Sequence, residues 1–282
     1  LAPAVFLCLW SGGYVVAKIA LLYSEPMTVL ALRYSLVIVI MAFLFLFFRP
    51  PLPKTLPEWG HLAMVGFLIQ TVYFGMCYLA FRAGSSAGMV ALVMSFQPIL
   101  VGLIAPGWTG EKIGRYTWIG LGLGLIGAVL VIYARSNIET PSLLALGCVT
   151  LALFGISAGS LWEKRFGLVH HPITSNLIGY SAGLLGILPF MFWLESMTVD
   201  WNWEFAAAMA YLVIGNSVIA IGLLLAMIRA GEVSKVSALF FLVPPMVAVL
   251  AWVILDELMP PLAWFGMAIA SVGVLLATRT HE

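Results

Sequence analysis

The stretch RAGSSAGMVALVMSFQP, Arg82 to Pro98, returns as RAGEVSKVSALFFLVPP, Arg229 to Pro245. Both copies open on Arg-Ala-Gly, close on proline and sit inside long apolar runs. The shift between them is 147 residues. On either side a shift of 146 matches Ser11 with Ser157, Gly13 with Gly159, Lys18 with Lys164, Pro26 with Pro172, Thr28 with Thr174, Tyr34 with Tyr180 and Ser35 with Ser181. The same shift places Glu111 on Glu257, Trp118 on Trp264, Gly120 on Gly266 and Gly127 on Gly273. Chance likeness between two apolar strings would match Leu, Val and Ala. These matches are mostly Gly, Pro, Ser, Tyr and charged residues at a nearly constant offset, so the chain is an internal duplication.

Hydrophobic residues make up 63% of the 282 and charged residues 9%, with mean hydropathy +1.09. A soluble domain is nearer one-half apolar and about one-quarter charged, so this composition belongs in lipid. There the backbone satisfies itself only as helix or closed barrel, and apolar runs without strand-like alternation exclude the barrel. Net charge is +1, with the basic residues scattered, so nucleic acid is not an expected partner. Cys8, Cys77 and Cys148 have no paired or metal-ligand spacing, which leaves no disulfide framework and no metal site. Lys18, the first basic residue, follows the opening apolar run instead of preceding it, which disfavours a cleaved signal peptide.

Breaks at Pro, Gly and charge clusters predict spans near 2–22, 27–48, 59–82, 86–107, 116–134, 142–163, 173–194, 204–229, 233–255 and 261–278. The expected fold is all-α integral membrane: ten transmembrane helices as two inverted five-helix repeats, over 1–135 and 141–282, together one membrane domain. Five is odd, so the second copy enters the bilayer from the opposite side. That architecture is characteristic of secondary transporters with a mid-bilayer site between the halves. With the N-terminus inside, inner loops and the C-terminal end hold Arg49, Lys54, Lys112, Arg115, Lys164, Arg165, Arg229, Lys235 and Arg279. Outer loops hold Arg82 and Arg135. The positive-inside bias puts both termini in the cytoplasm.

The duplicated plan, with Asp256-Glu257 followed by Pro260-Pro261, Trp264, Gly266 and Gly273, resembles the EamA-like branch of the drug/metabolite transporter superfamily. The likeness covers the whole chain. The first half keeps Glu111, Trp118, Gly120 and Gly127 but has Gly110-Glu111-Lys112-Ile113-Gly114-Arg115 where the family more often shows an acid followed by Pro or Thr. The texture is most similar to YddG-type exporters of aromatic amino acids. That resemblance implies alternating access, amino acid export and a bacterial inner membrane location.

Candidate substrate-binding residues follow from polar and aromatic positions inside spans. Gln70 lies near the middle of the third span, and the repeat places it on Asn216 or Ser217 in the eighth. Interhelical hydrogen bonds in bilayers are worth roughly 0.6 kcal/mol, a weak reason to bury amides twice. Pro98, beside Gln97, and the pair Pro244 and Pro245 interrupt the fourth and ninth spans and disturb the carbonyls of Met94 and Phe241. Such carbonyls are tolerated where they are resatisfied or line a cavity. Trp10, Ser11, Tyr14 and Lys18 share one stripe of the first span, with Ser157, Ser160 and Lys164 as counterpart. Trp10, Tyr14, Tyr73, Tyr78, Trp162 and Tyr180 are candidate walls for an aromatic side chain. Their competitor is ordinary core packing. Lys18 and Arg33 read as basic chains snorkelling to the outer headgroups, with an outer gate or substrate-carboxylate contact as the alternative.

No span carries Asp or Glu near its centre, so proton coupling has no evident carrier and facilitated movement is expected. The glycine-rich nucleotide loop is missing, and no cofactor is implied. The expected partners are the lipid bilayer and a small-molecule substrate such as an amino acid, with no obligatory protein partner. The reading is a membrane exporter of small hydrophobic solutes, foremost aromatic and other apolar amino acids, and not an enzyme. A drug or metabolite exporter, a channel and an intramembrane enzyme stay open as alternatives.

Overall fold

The computed structural model describes residues 2–135, 142–166, 170–231, 233–255 and 260–278. Among them are ten helices long and apolar enough to cross a membrane. They are α1 (Ala2–Ala20), α2 (Pro26–Phe48), α3 (Leu56–Arg82), α4 in two pieces (Ala87–Met94 and Gln97–Trp108) and α5 (Arg115–Arg135). The second half repeats the order as α6 (Leu143–Phe166), α7 (Pro172–Leu194), α8 (Trp203–Ala230), α9 (Val233–Ala238, a tight turn Leu239–Leu242, then Val243–Leu255) and α10 (Pro261–Thr278). Each expected span is present within a few residues. Asp256, Glu257 and Arg279, and the junction 136–141 between the two expected units, lie outside the described residues.

Local sequence explains the ends. Proline opens α2, α3 and α7 within their first two positions, where its missing N–H has no intrahelical partner to lose. Arg49 closes α2 in a left-handed conformation with φ 46°. The expected proline breaks are present. Pro98 starts the second piece of α4 after the turn at Ser95 and Phe96, and Pro244 and Pro245 start the second α piece of α9.

Apolar attraction does not hold helices together in lipid, so packing depends on small residues that let backbones touch. A Cβ on Gly120 would lie 2.6 Å from the Gly273 carbonyl oxygen, and one on Gly127 2.6 Å from that of Gly266. Gly120 and Gly127 are the repeat counterparts of Gly266 and Gly273, so α5 and α10 meet through an exchanged, self-complementary contact. Such reciprocity is the mark of a two-fold axis. The axis also passes between Tyr34 on α2 and Tyr180 on α7, repeat counterparts whose rings meet edge-on at 5.4 Å. Glycine substitution tests this seam. Gly120→Ala or Gly127→Ala should lower thermal unfolding in detergent by about 1–3 kcal/mol through overpacking. Gly122→Ala on the same helix, where an added Cβ meets nothing, should be neutral or stabilising by up to about 1 kcal/mol.

Candidate transport site

At mid-depth α3 and α8 both widen into π-helical turns, over Phe67–Phe74 and Tyr211–Ala220. Widened turns leave carbonyls without their usual helical donors and concentrate at functional positions. The repair is the same in each half. The Tyr34 hydroxyl donates to the Gln70 carbonyl at 2.7 Å, and the Tyr180 hydroxyl donates to the Ser217 carbonyl at 3.1 Å. Gln70 and Ser217 are repeat-related, so one buried tyrosine closes each break and the two tyrosines touch at the axis.

Two clefts flank this pair, and the repeat relates them. One lies between α1, α3 and α8 and is lined by Trp10, Tyr14, Tyr73, Phe74, Tyr78 and Asn216. The other lies between α3, α6, α7 and α8, with Gln70, Glu163, Asn176, Tyr180 and Arg229 among its walls. In the first, the Trp10 and Tyr73 rings stack at 5.8 Å and the Tyr14 and Tyr73 hydroxyls lie 2.9 Å apart. Buried Trp10 Nε1 has no hydrogen-bond partner there, and neither does Gln70 Oε1 in the second. Gln70 and Asn216 therefore line separate clefts, not one shared cavity.

The other expected site residues divide. Ser11 is buried without a hydroxyl partner, and Ser157 bonds back to the Leu153 carbonyl of its own helix. Gln97 Nε2 donates to Ser237 Oγ at 3.2 Å, tying α4 to α9. Met94 and Phe241 are buried at the helix breaks, and Phe241 packs over Gly124. Trp162 stands apart from the aromatic walls, in a cluster with His61, Trp108 and Phe166. Lys18 is exposed, as a snorkelling residue would be, and Lys164 donates to the Gly231 carbonyl.

Arg33 corrects the sequence reading. It does not reach a headgroup: it is 0% exposed. Its Nε donates to Ser217 Oγ at 2.6 Å, Nη2 to Asn216 Oδ1 at 2.6 Å and Nη1 to the Tyr78 hydroxyl at 3.3 Å. Tyr34, next in sequence, bonds the π turn of α3, which directs the neighbouring side chain toward α8. A signal was present in the repeat, because the counterpart of Arg33 is Gly179. There α3 and α7 touch directly, with a Cβ on Gly66 falling 2.2 Å from the Gly179 carbonyl oxygen. Glu163 is a second surprise. It reads as an end-of-span acid, yet its side chain is 1% exposed and pairs with Arg229.

Acidic side chains close both ends. Glu195, from the second half, accepts from the Met27 and Thr28 N–H groups at 2.7 Å each, capping α2 where the helix dipole favours a negative charge. On the same face Arg82 lies 3.2 Å from Glu25. The Ser196 hydroxyl and N–H donate to Glu25 and, together with Arg82, hold its carboxyl below its ordinary range. That contribution to closure is present above the ordinary carboxylate pKa and is lost as pH falls through the depressed value. On the opposite face Glu111 caps α9, accepting from Val233 N–H at 2.6 Å and Ser234 Oγ at 2.8 Å.

Ten membrane-crossing helices in two inverted five-helix repeats, with paired clefts either side of the Tyr34–Tyr180 contact, define a multi-pass membrane transporter. The EamA-like transporter family matches residues 2–133 and again 143–279. The chain belongs to that family. It is 26% identical over 95% of its length to a probable amino-acid metabolite efflux pump of Salmonella typhimurium, of which 90% is covered. It is 28% identical over 90% of its length to the uncharacterized transporter YvbV of Bacillus subtilis, of which 83% is covered. A solved crystal structure superposes with TM-score 0.82 at 19% identity, covering 99% of this chain and 95% of that one, and shares the fold.

The tyrosine repair gives a direct test. Tyr34→Phe and Tyr180→Phe each remove a buried hydrogen bond to a π turn and should destabilise the purified protein by about 0.5–1.5 kcal/mol in denaturant or thermal unfolding. Unchanged stability in both would mean that the π turns do not depend on these hydroxyls.

Proposed function

We propose that this chain exports small hydrophobic solutes, foremost aromatic and other apolar amino acids, across a bacterial inner membrane by alternating access. The observation that carries the reading is the pair of repeat-related clefts on opposite sides of the Tyr34–Tyr180 contact. When one unit rocks against the other, each cleft deepens in turn, and the tyrosine pair and π turns are the mid-depth partition. The units are residues 1–135 and 141–282. Both termini are cytoplasmic, so the Glu195 face is outward and the Glu111 face inward.

The α1–α3–α8 cleft is about 20 Å³ here, room for roughly one water, so it must widen to take a substrate; its wall of Trp10, Tyr14, Tyr73, Phe74 and Tyr78 then offers an aromatic side chain ring faces and edges. The name of the Salmonella typhimurium relative, an amino-acid metabolite efflux pump, supports the same substrate class. Movement is facilitated. Among the described residues the acid lining a cleft, Glu163, is held by Arg229, so it does not stand free as a proton carrier.

Proteoliposomes loaded with labelled phenylalanine test this reading. Saturable efflux should persist with proton gradient and membrane potential both collapsed, and excess phenylalanine should compete better than a lipophilic cation. Gln70→Leu and Asn216→Leu should each reduce flux while the protein inserts normally, since an apolar residue is cheap in lipid. Strict dependence on either gradient, or normal flux in both variants, would overturn the mechanism or remove those two residues from the site.

A further inference from the structure

Arg33 is a cation in the interior of a membrane protein, about 10 Å along α2 from Pro26, with no exposed surface. Burying a charge costs several kcal/mol unless an opposite charge offsets it, and charged groups within a bilayer mark substrate pathways. The partners of Arg33 are neutral: Ser217, Asn216 and Tyr78 accept its hydrogen bonds, and the rings of Phe74 and Tyr34 lie 4.4 and 6.0 Å from Cζ. The ion pairs among the described residues all use other basic groups. A guanidinium has five N–H donors, and three are engaged here.

The neighbours connect this charge to the cleft. Phe74, Tyr78 and Asn216 contact Arg33 on one side and line the α1–α3–α8 cleft on the other. Trp10, on the same wall, carries a buried Nε1–H without an acceptor. The lining therefore supplies a positive charge just behind it, a spare donor within it, and no carboxylate. An anion entering the cleft gains a charge-assisted contact by displacing Asn216 or Tyr78 from the guanidinium. An ammonium meets ring faces, hydroxyls and the Asn216 amide oxygen, all neutral, and lies close to a like charge. The repeat sharpens the point, because Gly179 occupies the matching position in the other half: the charge is a departure from the duplication, not a requirement of the fold.

We propose that Arg33 is the anion-binding group of the transport site, so that the cleft recognises a carboxylate attached to a planar apolar group and does not require an amine. Amine-free aromatic acids are then substrates alongside aromatic amino acids. This rests on the reading of the chain as an exporter of amino-acid-sized solutes and narrows what it recognises.

Three probes of nearly one shape decide it: L-phenylalanine, 3-phenyllactate and phenethylamine. Each is tested on the purified full chain as a competitor of labelled phenylalanine efflux and for ligand-induced thermal stabilisation. In the unaltered protein 3-phenyllactate should act at concentrations similar to phenylalanine. Phenethylamine should be weaker by about tenfold or more, the value of one charge-assisted hydrogen bond. Arg33→Lys should keep the preference for acids, and Arg33→Gln should erase it. If Arg33→Gln fails to fold, the order of the three probes on the unaltered protein and on Arg33→Lys decides the matter. Phenethylamine matching 3-phenyllactate, or acid preference surviving in a folded Arg33→Gln protein, would overturn the proposal. Phenylalanine efflux that 3-phenyllactate neither inhibits nor stabilises against would overturn it while leaving amino acid export standing. Transport of 3-phenyllactate without phenylalanine would do the reverse.

Discussion

A bilayer offers no water to a backbone group that loses its helical partner, and the rest of this structure depends on that constraint. Each departure from regular helix carries its own repair. The π turns of α3 and α8 are closed by Tyr34 and Tyr180. The Ser95 hydroxyl, at the break in α4, donates to the Leu92 carbonyl at 2.6 Å. The buried N-terminal ends of α2 and α9 are capped by Glu195 and Glu111. The tyrosine and carboxylate repairs come from neighbouring helices or loops, so they also fix how the helices sit, and the clefts form beside the widened turns.

Duplication supplies the frame, and the departures from it supply the specificity. Tyr34 and Tyr180 keep the same role in both halves. Arg33 does not: its counterpart is Gly179, and where one half brings two helices into backbone contact the other spans the gap with a guanidinium. Glu163 has Ala17 as its counterpart, and Glu195 has Arg49, so the carboxylate caps on the two faces come from positions that the repeat does not relate. A symmetric scaffold with asymmetric charges suits a device that must open alternately to two sides while recognising its solute through one charged cleft.

Most of the fold was legible in the sequence, because it follows from patterns that lipid enforces: span length, proline at helix starts, and a repeat carried by Gly, Pro and Tyr. The glycines read as repeat markers, Gly120, Gly127, Gly266 and Gly273, are the ones that pack α5 against α10. The site was legible only in part. Trp10, Tyr14, Tyr73, Tyr78 and Asn216 were singled out and share one cleft, whereas Trp162 belongs to a different cluster. Arg33 departs from the snorkelling expectation because distance from a helix end suggests reach to the headgroups but does not say which way a side chain points. The π turns left no mark in a single sequence, because Phe67–Phe74 and Tyr211–Ala220 have the composition of ordinary transmembrane helix.

Alternating access through this fold requires helices of the two repeats to shift relative to one another about an axis through the Tyr34–Tyr180 contact. Spin labels on exposed positions on each face measure this most directly: Leu22 with Trp201 on the Glu195 face, and Lys54 with His171 on the Glu111 face. Pulsed dipolar distances in the reconstituted protein, with and without phenylalanine, should change in opposite senses, one pair separating as the other closes. Distances that stay fixed on both faces, or lengthen together, would contradict the account.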